Sequence, residues 1–178
     1  MIRSRLIAAA AALLLATPVW AALDVGAKAP DFTARASLGG NEFDFSLASA
    51  LKNGPVVLYF YPAAFTKGCT AEAHDFAEAT DKFKEMGATV IGISTDKIET
   101  LNKFSVTECR NKFAVAADPD SVVTKAYNSV LMKMTAYSDR TSYVISPEGK
   151  ILLAYTNMDY SEHVSRTLKA VADWKAGK

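Results

Sequence analysis

The chain of 178 residues has only two cysteines, Cys69 and Cys109, and only two histidines, His74 and His163. No CxxC pair is present, which disfavours a disulfide-exchange protein. Without a Cys or His cluster there is no zinc-type ligand spacing either. Charge of one sign is lacking too: 20 Lys and Arg stand against 19 Asp and Glu, so nothing suggests a nucleic-acid partner. No internal repeat, low-complexity tract or linker-like change of composition divides the chain. The one long apolar run outside candidate strands covers residues 6–16, preceded by Arg3 and Arg5 and followed by Pro18-Val19-Trp20-Ala21. It is too short to span a bilayer comfortably. The order of basic, apolar and small residues is that of an export signal, residues 1–21, cleaved after Ala21, with an uncleaved anchor as the alternative. Residues 22–178 then form a single domain of about 157 residues, enough for one core and too few for two. Losing Arg3 and Arg5 takes the formal charge from +1 to −1.

What the chain does contain is a regular alternation of strand and helix patterns. Residues 32–35 and 42–45 flank Leu38-Gly39-Gly40-Asn41 as a short hairpin, followed by a turn of helix near residues 46–52. Residues 55–61 and 88–94 are apolar, β-branched runs suited to a sheet covered on both faces. Thr95-Asp96 predicts the cap of a helix running toward Thr107, and residues 113–117 a further strand. Asp118-Pro119 reads as an N-cap with proline at the first helical position, opening a helix to about Asn128. Residues 141–146 and 151–156 flank Pro147-Glu148-Gly149-Lys150 as a second hairpin. A closing helix over residues 161–174 carries Val164, Leu168, Val171 and Trp174 as its apolar stripe. Such strand–helix–strand units followed by an antiparallel hairpin imply an α/β fold, a mixed central sheet flanked by helices.

The segment Tyr61-Pro62-Ala63-Ala64-Phe65-Thr66-Lys67-Gly68-Cys69-Thr70-Ala71-Glu72 puts a thiol where a strand gives way to a helix. Ala73, Phe76, Ala77 and Phe83 continue at helical spacing, with Gly87 as a stop. Cys69 thus falls in the first helical turn, where unpaired N–H groups and the positive end of the helix dipole favour an anion such as a thiolate. In an oxidising compartment a structural disulfide between Cys69 and Cys109 is the alternative use of the two sulfurs. It would close about 41 residues and stabilise by about 4 kcal/mol on the chain-entropy estimate.

The pattern Pro62-x-x-x-Thr66-x-x-Cys69 resembles the active-site motif of the peroxiredoxins, thiol peroxidases of thioredoxin-like fold. The stretch from Phe60 to Glu72 is most similar to their bacterioferritin-comigratory, or Q-type, branch. A second landmark, an arginine shortly before a late strand, is matched by Asp139-Arg140-Thr141-Ser142-Tyr143-Val144-Ile145, and the resemblance covers roughly residues 27–175. It implies a peroxidase that reduces hydrogen peroxide and alkyl hydroperoxides through a Cys69 sulfenic acid and needs no cofactor or metal. A thioredoxin-like protein would recycle it, and the branch suggests a monomer. By the same resemblance Thr66 supplies a hydroxyl and Arg140 a charged fork; Pro62, with no N–H to contribute, reads as a roof that keeps bulk water off the sulfur. Taken alone, Thr66 reads as a capping hydroxyl, Arg140 as a surface charge and Pro62 as a strand-ending proline. Lys67 stands where close relatives often carry proline. Glu72 matches the family's acidic position, either orienting the arginine or capping the helical turn.

Ionisation by itself does not make a fast peroxidase. An ordinary thiol is about 3 % thiolate near pH 7, so full ionisation gains at most about 30-fold. Part of that is lost because a less basic thiolate is a weaker nucleophile. Donors fixed around the O–O bond have to supply the rest. Many members of the branch place a second, resolving cysteine five residues after the first, where this chain has His74. Others place it in the following helix, which Cys109 matches. The resemblance thus implies a Cys69–Cys109 disulfide intermediate, formed after helix ends unwind. A one-cysteine peroxidase with Cys109 as an unreactive buried thiol, and a non-catalytic redox sensor or binding module, are the alternatives. His74 and His163 read as ordinary helix residues, and Tyr155 and Tyr160 as packing. By the same resemblance, lacking the Gly-Gly-Leu-Gly and C-terminal Tyr-Phe elements that over-oxidation-prone members tend to carry implies robustness against over-oxidation.

Overall fold

In the computed structural model, which describes residues 21–131 and 137–178, twelve elements succeed one another. They are β1 (Thr33–Leu38), β2 (Asn41–Ser46), α1 (Leu47–Leu51), β3 (Val56–Phe60), α2 (Lys67–Glu85), β4 (Thr89–Ser94), α3 (Ile98–Thr107), β5 (Ala114–Ala117), α4 (Val122–Ala126), β6 (Thr141–Ile145), β7 (Ile151–Thr156) and α5 (His163–Lys175). The expected export signal lies outside the described residues.

The strands form one sheet in the order β2-β1-β5-β4-β3-β6-β7. β3, β4 and β5 run parallel, as helical crossovers require, and the outer pairs are antiparallel. Because side chains alternate across a strand, β3 sends Val57 and Tyr59 to one face and Val56, Leu58 and Phe60 to the other. The first face is covered by Phe76 and Phe83 of α2, Leu101 and Phe104 of α3 and Val171 of α5. The second is covered by Leu47 and Leu51 of α1 and Val123 of α4. The mixed sheet between helices is therefore the predicted architecture.

Gly39 and Gly40, both at positive φ, make the two-residue turn of the first hairpin. Its strands are longer than the alternation suggested, and β1 also pairs with β5, a contact 78 positions away that local pattern cannot reveal. Gly92 of β4 lies beside Tyr59 of β3 in register, and a Cβ there would come within 2.7 Å of the Tyr59 ring.

Two capping expectations need correction. Asp96 does not cap α3, whose N-cap is Lys97 with no side-chain bond; its carboxylate instead accepts from the Ala64 N–H and the Ser94 hydroxyl. Asp118 does act as a cap, accepting from the N–H groups of Val122, Val123 and Thr124. The helix nevertheless begins three residues later than Pro119 implied and ends at Ala126. In the closing helix the buried stripe is His163, Thr167 and Val171, with Val164 and Leu168 only partly buried against the core.

Candidate active site

Beyond β3 the chain passes through Tyr61 and the half-buried Pro62 into a short loop. The Ala64 N–H donates to Asp96 Oδ2 at 2.7 Å, anchoring that loop to the end of β4. Phe65 takes φ 64°, a left-handed conformation that a bulky side chain rarely adopts. Its half-exposed ring stands edge-on to Phe104. Thr66 follows as N-cap of α2, with its hydroxyl donating to the Ala63 carbonyl at 3.0 Å. The first helical bond runs from the Thr70 N–H to the Thr66 carbonyl. The N–H groups of Lys67, Gly68 and Cys69 therefore have no acceptor within the helix.

Cys69 lies in that first turn, 2 % exposed. Arg140 reaches it from the opposite side. The β3–β6 register, Phe60 opposite Thr141, sets residue 140 at the same end of the sheet as the start of α2. Its guanidinium is 4 % exposed and bound on three sides. Nε donates to the Met158 carbonyl at 3.1 Å, Nη1 to Glu72 Oε2, and Nη2 to Cys69 Sγ at 3.5 Å. Gly68 makes room for this approach, since a Cβ there would lie 3.2 Å from Nη2. Thr66, Cys69 and Arg140 are thus gathered at one end of the sheet, with Pro62 in the connecting loop.

Glu72, one turn after Cys69, is fully buried. Of the two roles considered for it, it takes the pairing with Arg140. Burial pushes its carboxyl up to about 8, against the opposing pull of Arg140. His163 is the residue that sequence reasoning missed. It is completely buried at the start of α5, with Nδ1 2.8 Å from the Ser142 hydroxyl, Nε2 2.9 Å from the Asn157 carbonyl, and Nδ1 3.8 Å from Glu72 Oε1. Burial pulls its pKa down to about 4, so the imidazole is neutral at pH 7. The available signal was a lone histidine at the head of an amphipathic helix, but nothing in the spacing tied it to residue 72. Tyr155 packs its ring on His163 and carries Arg166 over its face.

Cys109 lies just past the α3 C-cap, Glu108, and is fully buried in the same apolar cluster as Cys69. Burial, and then the neighbouring Glu108 charge, push its thiol well up. Both sulfurs are free thiols rather than a static bridge. His74, five residues after Cys69, bonds Glu108 Oε2 through Nε2 at 2.9 Å. Two further ion pairs, Glu78 with Arg110 and Asp81 with Lys112, continue along the same two segments. The segment carrying Cys109 is thereby tied to the helix carrying Cys69. Arg110 and Asn111 both have positive φ, so this connection is also strained.

Among the described residues no helix is long and apolar enough to cross a membrane, and no three His, Cys, Asp or Glu side chains converge as metal ligands.

Comparison with known proteins agrees with this geometry. Residues 25–154 match the AhpC/TSA family. Peroxiredoxin Bcp of Bacillus subtilis is 30 % identical over 157 residues, covering 85 % of this chain and 96 % of that protein. A chloroplastic peroxiredoxin Q of Sedum lineare is 34 % identical over 158 residues, covering 88 % and 82 %. Among solved structures, peroxidoxin BcpB from Mycobacterium tuberculosis superposes with a TM-score of 0.74 at 29 % identity, over 83 % of this chain and 96 % of that one. With a helix-start thiol, an arginine brought to it by the sheet and these relatives along most of its length, the chain belongs to the AhpC/TSA family as a thioredoxin-fold peroxiredoxin of the bacterioferritin-comigratory (Q-type) branch, a thiol-dependent peroxidase.

Proposed function

We propose that Cys69 is the sulfur oxidised by hydrogen peroxide and small alkyl hydroperoxides, with Thr66, Arg140 and Pro62 as its working surroundings. The observation that carries this reading is the contact between Arg140 Nη2 and Cys69 Sγ. A buried, permanently charged fork beside the sulfur can steady negative charge as it develops there and on the departing oxygen. The Thr66 hydroxyl already donates to Ala63, so its lone pairs are free to accept the peroxide O–H and orient that molecule. The unbonded N–H groups at the start of α2 add donors on the same side. Pro62, with no N–H of its own, shields the thiolate from bulk water.

Attack yields a Cys69 sulfenic acid, which Cys109 resolves as an intramolecular disulfide. A thioredoxin-like protein returns both to thiols. Both sulfurs are closed off from solvent, so resolution requires the segment after α3 to leave its place, which its strained Arg110-Asn111 turn favours. The chain acts as a monomer after export and removal of residues 1–21, in the periplasm or an equivalent compartment. Export rests on the basic–apolar–small pattern of its N-terminus.

The test is peroxide consumption by residues 22–178 with dithiothreitol, comparing wild type, Cys69→Ser and Cys109→Ser. Loss of turnover in Cys69→Ser is required. Turnover by Cys69→Ser at the wild-type rate refutes the assignment. Unchanged turnover in Cys109→Ser together with no disulfide in the wild type makes Cys109 a bystander and the protein a one-cysteine peroxidase.

A further inference from the structure

Glu72 holds the least satisfied polar atom near the thiol. Its Oε2 accepts from Arg140, while its Oε1 is buried with no hydrogen-bond partner, and His163 Nδ1 lies 3.8 Å from that oxygen. The tautomer of His163 follows from its bonds. Nε2 faces the Asn157 carbonyl, which can only accept, so Nε2 carries the hydrogen and Nδ1 is the bare nitrogen that accepts from Ser142. Both ring nitrogens are thereby committed, Nε2–H to Asn157 and the single Nδ1 lone pair to Ser142, so His163 has no hydrogen to give Glu72 Oε1, and a buried oxygen without a donor favours the protonated carboxyl over the carboxylate.

We propose that Glu72 stores the proton released by Cys69, with His163 as the positioning residue that leaves its Oε1 without a donor. The proposal deepens the reading of Cys69 as the peroxide-reactive thiol and rests on it. Cys69 and Glu72 share one buried cation, Arg140. With the proton on Glu72, the guanidinium serves the thiolate alone. With the proton lost from both, two buried anions compete for one cation, which is costly. The cycle balances. Cys69–SH passes its proton to Glu72, and the thiolate attacks the terminal oxygen of ROOH. The S–O bond forms, the O–O bond breaks, and sulfur is oxidised by two electrons to S–OH. The departing RO⁻ takes the stored proton to become ROH.

Burial pushes the Glu72 carboxyl up to about 8, which suits a group that keeps a proton at neutral pH. Facing the pair are Arg140 from the segment before β6, Tyr59 from β3, Asp75 and Cys69 from α2 itself, and Asp159 and Arg166 around His163. Burial holds the Tyr59 phenol well above its usual range, so it does not titrate near neutrality.

The test is the pH profile of the rate constant for hydrogen peroxide with the reduced protein, measured by competition against a haem peroxidase. The wild-type rate is expected to fall on the alkaline side with a midpoint near pH 8, as Glu72 loses its proton. In His163→Gln, whose amide N–H can donate to Oε1 and so favour the carboxylate, the midpoint moves down by about one unit, and in His163→Leu, which has no hydrogen to give, it stays near wild type. Infrared spectra of wild type at pH 7 should show the carbonyl band of a neutral buried carboxylic acid, absent from Glu72→Gln. That measurement decides the matter even where His163→Gln does not fold. A missing band, or a His163→Gln rate lowered equally at every pH, overturns the proton store while leaving Cys69-dependent turnover intact. Peroxide reactivity surviving in Cys69→Ser would instead sink the underlying reading.

Discussion

Among the described residues, Arg140 is the one buried Lys or Arg, and its three nitrogens are each committed to a different acceptor. An ammonium cannot fill that fork, so Arg140→Lys is expected to lower the rate of thiol oxidation by about 10², measured by stopped-flow with hydrogen peroxide. Glu72 and His163 leave a signature in stability as well. Glu72 titrates near 8 when folded against an ordinary 4.5, so its contribution falls as pH rises between those values. His163 titrates near 4 when folded against 6.5, so its contribution rises with pH between those values. The two oppose each other up to pH 6.5, and above it Glu72 acts alone. Urea unfolding of the wild type should show a loss of about 2 kcal/mol from pH 6.5 to 8 that Glu72→Gln does not show. Thr66, Cys69 and Arg140 were legible because short motifs fix their types and spacing. His163 was not, because its partner is 91 positions away and the helix period marks only which face is buried.

At the level of elements, α2 and the segment after α3 are joined by the His74–Glu108, Glu78–Arg110 and Asp81–Lys112 contacts. Glu78, Asp81, Arg110 and Lys112 are well exposed, so those two pairs contribute little each. The His74–Glu108 pair is the more enclosed one. If Cys109 must leave its pocket to meet Cys69, Glu108→Gln should speed disulfide formation after a single peroxide addition by about 2- to 5-fold, followed by rapid acid quench and thiol labelling. An unchanged rate would place the slow step elsewhere. Between β3 and β4, Gly92 is required by the ring of Tyr59 above it. Gly92→Ala is expected to cost about 1–3 kcal/mol by chemical denaturation through displacement of that ring. Strand positions were legible from apolar runs, and the capping power of Asp118 from its residue type. What Asp96 binds was not, because its partner Ala64 comes from a loop that only the folded sheet brings near.

Across the whole molecule, the order of strand and helix patterns was enough to give a mixed sheet between helices. The place of the first hairpin was not, since β1 joins the parallel core through β5 and both strands are short and carry little pairing information of their own. The sheet's topology has a functional consequence: β3 and β6 as neighbours bring the start of α2 and Arg140 to one end, where Cys69 sits under cover. The most direct measurement is trapping of the oxidised sulfur. Reduced Cys109→Ser protein is mixed with one equivalent of hydrogen peroxide in the presence of a sulfenic-acid-specific 1,3-dicarbonyl, digested and mapped by mass spectrometry. The account predicts the adduct on the peptide containing Cys69 and its loss in the Arg140→Lys background at short times. Peroxide consumed at the wild-type rate with Cys69 left as a free thiol would contradict it.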